Sequence, residues 1–182
     1  MKAFGIAVAA MLSVGLLLGG IFLLTWMSAN NAEVSARNAF NAQQKANESS
    51  FDKVWKTIAQ QAEIPTAERE SFRKTYTEIM TASRGVAGNG QLASFFTQAK
   101  IEIDPSLFAK LMTTIEAQRE SFHRDQQHLL KLKQQHDDVR TRWPSAFFVG
   151  TRPEVEAKLV TSAKTSAAFE LGEDNDVKLL GK

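Results

Sequence analysis

The sequence contains no cysteine among its 182 residues, which excludes disulfides, thiolate metal sites, thiol catalysis and lipid attachment through a cysteine. A strong charge of one sign is also missing, because 22 basic residues face 20 acidic ones and leave a formal net charge of +2. A nucleic-acid-binding domain normally shows a clear basic excess, so we expect no nucleic-acid partner. The chain is 43% hydrophobic and long enough for one membrane span and one domain.

The longest apolar run covers residues 3–27 and contains nothing more polar than Ser13 and Thr25. At about 1.5 Å per residue, a helix of this length reaches roughly 37 Å and exceeds a hydrocarbon core of about 30 Å. A cleavable signal peptide has a shorter apolar region that ends in an A-x-A site, which the residues after Met27 do not provide. We therefore predict an uncleaved transmembrane anchor over residues 1–28, a single pass through the cell membrane, and the lipid bilayer as a partner.

The charges that flank the apolar run bear on its orientation. Lys2 precedes the run, whereas Arg37 and Lys45 follow it within about 20 residues, the distance over which the positive-inside rule acts. The side of the membrane that carries the rest of the chain stays open, with a slight preference for the cytoplasm.

Gly15 and Gly19 form a GxxxG pair inside the apolar run. Small residues four positions apart allow two helices to approach closely in lipid. The pair predicts a contact between transmembrane helices; the alternative is that glycine is simply common in such helices.

Four segments after the anchor carry the apolar periodicity of helices. They cover residues 29–62, 66–84, 91–103 and 106–143. Asp104-Pro105 is a helix start signal, a capping carboxylate followed by a proline at the first helical position. The segment after it has apolar residues that alternate by three and four positions, which is the rhythm of a coiled coil.

A helix as long as the last one cannot bury its apolar stripe alone and needs other helices beside it. We therefore predict an all-α fold, with the N-terminal transmembrane helix followed by an antiparallel three- or four-helix bundle that has a long last helix. The bundle would cover residues 29–150, and residues 151–182 would form a loosely ordered C-terminal extension. Its predicted core includes Trp55, Phe122, Leu129 and Trp143.

All three histidines, His123, His128 and His136, fall in the long predicted helix. Two metal ligands on one helix face need a spacing of three or four residues, whereas these are five and eight apart, so we predict no metal site and no cofactor. His136 lies on the apolar seam, and histidine changes charge between about pH 5 and 8. It is predicted either to be a polar interruption in the bundle core or to act as a pH switch.

The order of these features resembles the LemA family of bacterial membrane-anchored proteins, whose soluble part is an antiparallel helical bundle. The resemblance covers about residues 1–150. After the single span, it rests on Val54-Trp55-x-x-Ile58, Ile64-Pro65 and Trp143-Pro144. The two arginines that the family carries ahead of the first proline have no counterpart in residues 60–65. The resemblance implies a bundle and a membrane location but no reaction, because the family lacks a settled biochemical role.

The sequence contains no motif for catalysis. Its glycine-rich stretch at 85–90 lacks the lysine of a phosphate-binding loop, and no serine lies in GxSxG or SxxK. We predict a scaffold or protein-interaction module that is not an enzyme and has a protein partner or associates with itself. One alternative is a membrane-fixed regulator or sensor whose bundle responds to a ligand, a partner or pH. A second is a hydrolase whose site forms only in the fold, which would require a pocket with convergent polar groups.

Overall fold

The structure is a computed structural model that describes residues 2–81 and 88–160. Within these ranges the chain is helical and has no strand, which confirms the predicted all-α class. The elements are α1 (Lys2–Gln61), a 3-10 turn (Thr66–Glu68), α2 (Arg69–Thr81), α3 (Gly88–Gln98), α4 (Pro105–Thr141) and α5 (Ser145–Val149). Most of the predicted C-terminal extension lies outside the described residues.

The first helix, α1, is a single element of 60 residues that includes both the apolar run and the next predicted helix. Between residues 4 and 27, which we call the apolar segment, the large hydrophobic side chains are exposed, as at Leu16 with 78% of its surface accessible. Ser13 Oγ donates to the carbonyl of Ala9 (2.9 Å), and Thr25 Oγ1 donates to that of Ile21 (2.8 Å). Among the described residues, one helix is long and apolar enough to cross a membrane, and it is this one.

Both α1 and α3 end through a residue in the left-handed backbone region. Glu63 has φ 51°, and Lys100 has φ 53°. After Glu63, the amide of Ile64 donates to the carbonyl of Ala59 (2.9 Å), which closes the last turn of α1. The third helix therefore ends at Gln98 rather than at the predicted residue 103.

The start of α4 follows the predicted signal. Asp104 Oδ1 accepts hydrogen bonds from the amides of Ser106 (2.8 Å) and Leu107 (3.3 Å), and the helix begins at Pro105. The carboxylate thus satisfies amides that have no partner inside the helix.

The chain divides into two compact units. The first contains α1 up to Lys45 together with Gln127–Ala157, and the second contains Ala46–Gln126 together with residues 158–160. The limits of the predicted domains, 1–28, 29–150 and 151–182, remain predictions.

An apolar core fills the second unit and draws side chains from α1, α2, α3 and α4. Its larger buried members are Ile58, Phe72, Tyr76, Ile79, Met80, Leu92, Phe95, Phe96, Leu111, Ile115 and Phe122. Phe122 is buried as predicted, and Trp55 packs half-buried against this core. Gln126 holds Val160 by two hydrogen bonds, from its Nε2 to the carbonyl (3.1 Å) and from the Val160 amide to its Oε1 (3.2 Å).

The first unit has a smaller apolar cluster of Phe40, Leu129 and Val155, with Leu132 and Ala157 packed against it. Leu129 is therefore buried as predicted. The prediction for Trp143 is wrong, because 87% of its side chain is exposed. The last helical residue of α4 is Thr141, so the spacing of three and four residues that marks the buried seam no longer applies two residues later.

Candidate functional site

A buried ionic cluster lies in the first unit, centred on Glu33 of α1. Glu33 follows the end of the apolar segment by six residues and is 1% exposed. It lies on the same face of the helix as the buried residues Ala29 and Phe40, four positions before and seven after it. A carboxylate on the buried face of a helix needs partners that replace water.

Three side chains contact the Glu33 carboxylate, and a fourth, Asn30, joins the cluster through Arg152. Its Oε1 accepts from Arg37 Nε (2.8 Å) and Nη2 (2.5 Å) and lies 3.1 Å from His136 Nε2. Its Oε2 accepts from Arg152 Nη1 at 2.5 Å, and the other terminal nitrogen of Arg152 donates to Asn30 Oδ1. The cluster thus joins one face of α1 to α4 and to the residues that follow α5.

The charge on Glu33 is stabilised by these donors. Burial alone would raise its pKa, but the hydrogen bonds from Arg152, Arg37 and His136 outweigh this effect and lower the pKa from 4.5 to about 2. Glu33 is therefore ionised at any physiological pH.

His136 is fully buried between two carboxylates. Its Nε2 faces Glu33, whereas its Nδ1 lies 3.6 Å from Asp137 Oδ1. Among the described residues, neither His136 Nδ1 nor Asp137 Oδ1 has a hydrogen-bond partner. Burial acts to raise the pKa of Asp137, but the ion pair with Lys133 (2.5 Å) and the neighbouring His136 lower it overall. A second proton on the imidazole would place a donor on Nδ1, facing the Asp137 carboxylate.

Arginines also hold the turn that follows α5. Arg140 Nε donates to the carbonyl of Arg152 (2.9 Å), and Arg37 Nη2 donates to that of Pro153 (2.8 Å). Arg140 Nη1 pairs with Glu154 Oε1 at 3.2 Å. These contacts fix the backbone of residues 152–154 against α1 and α4.

Gly150 allows this close approach. A Cβ at this position would lie 2.5 Å from the carbonyl oxygen of Ala146 and 3.2 Å from that of Arg140. Because both atoms belong to the backbone, a side chain could not be accommodated by a rotamer change. The turn that brings Arg152 to Glu33 therefore requires glycine at position 150.

The short helix α5 lies beside the apolar segment. The ring of Phe148 meets that of Phe22 edge to face, with the centroids 5.2 Å apart. Val149 is buried, whereas Phe147 is 76% exposed and Trp143, just before the helix, is even more exposed. The ionic cluster thus holds a set of exposed aromatic side chains next to the apolar part of α1.

The predicted site residues lie in different surroundings. His136 belongs to the ionic cluster, whereas His123 and His128 are exposed on α4. At Gly15 and Gly19 an added Cβ would meet nothing within 4 Å, so both positions are open, and their contact with another helix remains a prediction. In residues 2–81 and 88–160 there is no group of three histidine, aspartate or glutamate side chains arranged to hold a metal ion.

Sequence reasoning missed Glu33 and Arg152 as partners. They are 119 positions apart, and no local periodicity connects them. One signal was available. An acid on the same helix face as Ala29 and Phe40 needs a buried partner, and His136 was one of three polar residues on the seam of α4, with Gln118 and Asp125.

The second unit contains a small cleft lined by Tyr76, Phe122 and Asp125, among others. Its volume is about 20 Å³, which accommodates about one water molecule and is far below the several hundred Å³ of a typical ligand pocket. The Tyr76 hydroxyl, which has no partner among the described residues, lines this cleft, and burial raises its pKa. A cleft of this size does not support the hydrolase alternative.

Comparisons with models of protein families, with curated proteins and with solved structures give no match. The resemblance to LemA proteins therefore remains a prediction from motifs, and function has to be inferred from the geometry of this chain.

Proposed function

We propose that the protein is a single-pass, membrane-anchored scaffold or protein-interaction module with an antiparallel helical bundle resembling that of LemA proteins. The observation that carries this proposal is the change in surroundings along α1. From residue 4 to residue 27 the apolar side chains are exposed, and six residues later Glu33 is buried among charged partners. A hydrocarbon solvent around the first part of the helix accounts for that exposure, because water would not favour so long an apolar surface.

The role that follows is binding rather than catalysis. The polar part of α1 and the outward face of α4 carry solvated side chains such as His123 and His128, which are available to a protein partner. Gly15 and Gly19 provide an open surface for self-association within the bilayer. In this proposal the domain lies on the cytoplasmic side of the membrane, following the slight excess of basic residues after the apolar segment.

Membrane anchoring is tested by alkaline washing of membranes that contain the full chain. We expect the protein to stay in the membrane pellet, whereas a variant with both Leu17→Arg and Leu18→Arg should be released, because each charge at the centre of a span costs about 3 kcal/mol. Recovery of the unaltered chain in the soluble fraction would refute the proposal.

The interaction role is tested by crosslinking in intact membranes. A photo-reactive side chain at position 128, which is exposed on α4, should give a defined adduct with a partner protein or a second copy of the chain. The same group at the buried position 115 is the matched control and should give none. Absence of an adduct from 128 and from other exposed positions of α4 would argue against a scaffold.

A regulator or sensor that responds to pH is the second candidate, and His136 is the observation that favours it. The imidazole lies between Glu33 and Asp137, so a change in its charge alters both contacts. Thermal unfolding of the full chain in detergent micelles at pH 5 and pH 8 should differ, and His136→Ala should remove part of that difference. Identical pH responses of the two proteins would eliminate the switch.

A further inference from the structure

The exposed aromatic side chains at α5 lie at a defined depth relative to the apolar segment. Phe148 contacts Phe22, which precedes Met27 by five residues, or about 7 Å along the helix. Side chains that lie in the interfacial layer of a bilayer enter it by about 5–10 Å. Trp26, one turn after Phe22, marks the same level of α1, where tryptophan is typical of a membrane boundary.

The sequence around α5 is suited to the interfacial layer of a bilayer. Residues 143–150 contain two phenylalanines and a tryptophan but no charged side chain. Arginines lie on both sides of this stretch, at positions 142 and 152, and Arg142 is exposed while pairing with Asp138 at 3.1 Å. An uncharged aromatic stretch suits the interfacial layer of a lipid surface, and the exposed Arg142 at its edge suits the headgroups, whereas Arg152 is already bound to Glu33.

The position of α5 is fixed by polar contacts of the turn that follows it. Arg140 and Arg37 bind the backbone after α5, and the ion pair between Arg152 and Glu33 holds the same turn on α1. The helix that carries Phe147 is therefore held in place by hydrogen bonds and an ion pair, and its Phe148 contacts the apolar segment at Phe22.

We infer that residues 143–149 form a second membrane contact, in which Trp143 and Phe147 enter the interfacial layer of the bilayer leaflet from which α1 emerges. This inference rests on the proposed membrane anchor. The occupant of the exposed aromatic surface is lipid, because that surface continues directly from the apolar segment through the contact between Phe148 and Phe22. The chain then meets the membrane at two places, one spanning it and one lying in its surface.

Spin labels on single cysteines test this inference directly, since the natural chain has no cysteine. The full chain is reconstituted in phosphatidylcholine vesicles with one label at Phe147→Cys, Leu16→Cys or Thr113→Cys. Collision of the label with oxygen, relative to collision with a water-soluble nickel complex, reports its depth. Leu16 lies in the apolar segment, whereas Thr113 is an exposed residue of α4 in the second unit.

We expect the oxygen-to-nickel ratio at position 147 to exceed that at 113 several-fold and to fall below that at 16. A label at Trp143→Cys should give the same result and serves if the Phe147 variant does not fold. If the label at 16 is in lipid while those at 147 and 143 behave like that at 113, the inference is wrong and the membrane anchor stands; a protein partner would then cover α5. If the label at 16 is itself in water, the proposed function fails and this inference fails with it.

Discussion

The apolar core and the ionic cluster around Glu33 are both buried, but their side chains differ in character: those of the core are apolar, and those of the cluster are charged or polar. The core consists of aromatic and aliphatic side chains, whose burial is favourable by itself. The cluster places a carboxylate out of water, and the cost of that transfer is offset by the donors from Arg37, Arg152 and His136. The core thus supplies stability, whereas the cluster fixes which parts of the chain meet and makes that meeting sensitive to acid.

The largest effect should come from the apolar core. Phe72→Ala removes a fully buried ring that packs on Tyr76 and Phe95, with centroids 6.4 and 5.3 Å away. We expect the free energy of unfolding to fall by about 3–5 kcal/mol, measured by urea unfolding of the full chain in detergent micelles. Leu130→Ala, at an exposed position of α4, is the matched control and should change it by less than about 0.5 kcal/mol. Equal losses from both variants would contradict the assignment of the core.

Glu33→Gln should have the next largest effect, because it leaves Arg37 and Arg152 without their shared carboxylate. We expect a loss of about 3 kcal/mol, at the low end for a broken buried pair since both arginine side chains are partly exposed. Hydrogen exchange should accelerate in residues 145–157 and stay unchanged in α2. Glu116→Gln, on the exposed face of α4, should leave both regions unchanged. Unchanged exchange in residues 145–157 of the Glu33 variant would show that the cluster does not hold this segment.

The pH dependence of the free energy of unfolding should distinguish the ionic cluster from the apolar core, which contains no ionised side chain among its buried members. The pKa of Glu33 is lowered in the folded chain, so its contribution to stability is complete above about pH 4.5 and is lost as the pH falls towards 2. The lowered pKa of Asp137 acts in the same direction. Acid titration of the unfolding free energy should therefore show a steep decline for the natural chain and a shallower one for Glu33→Gln. Parallel declines would mean that Glu33 is not the group responsible.

The smallest effect should come from an ion pair on the surface that, like the pair of Glu33 with Arg152, joins a carboxylate to a cation. Asp52 and Lys56 form an ion pair of 2.5 Å, as short as that of Arg152 with Glu33, but both side chains are exposed. Water and salt screen such a pair, so Asp52→Asn should give no measurable change in urea unfolding. A loss as large as that from Glu33→Gln would show that distance rather than burial sets the strength of these pairs.

Local patterns predicted the elements well, and they failed where distant residues meet. Asp104-Pro105 marked the start of α4 because a cap acts within one turn, and the spacing of Phe122 and Leu129 placed both on a buried face. Trp143 was misplaced because the pattern was continued past Thr141, where the helix ends. The contact of Glu33 with Arg152 depends on a turn that only Gly150 permits, and no helical period carries that information.

The hydroxyls of Ser13 and Thr25 determine which hydrogen bonds the apolar segment can donate to a second transmembrane helix. Each donates its proton to a carbonyl one turn earlier in α1, so neither has a hydrogen left to share with another chain. Without these donors, an association through Gly15 and Gly19 would be selected chiefly by shape. Its strength would follow how closely two backbones can approach, and hence the thickness and packing of the surrounding lipid, rather than acidity or salt.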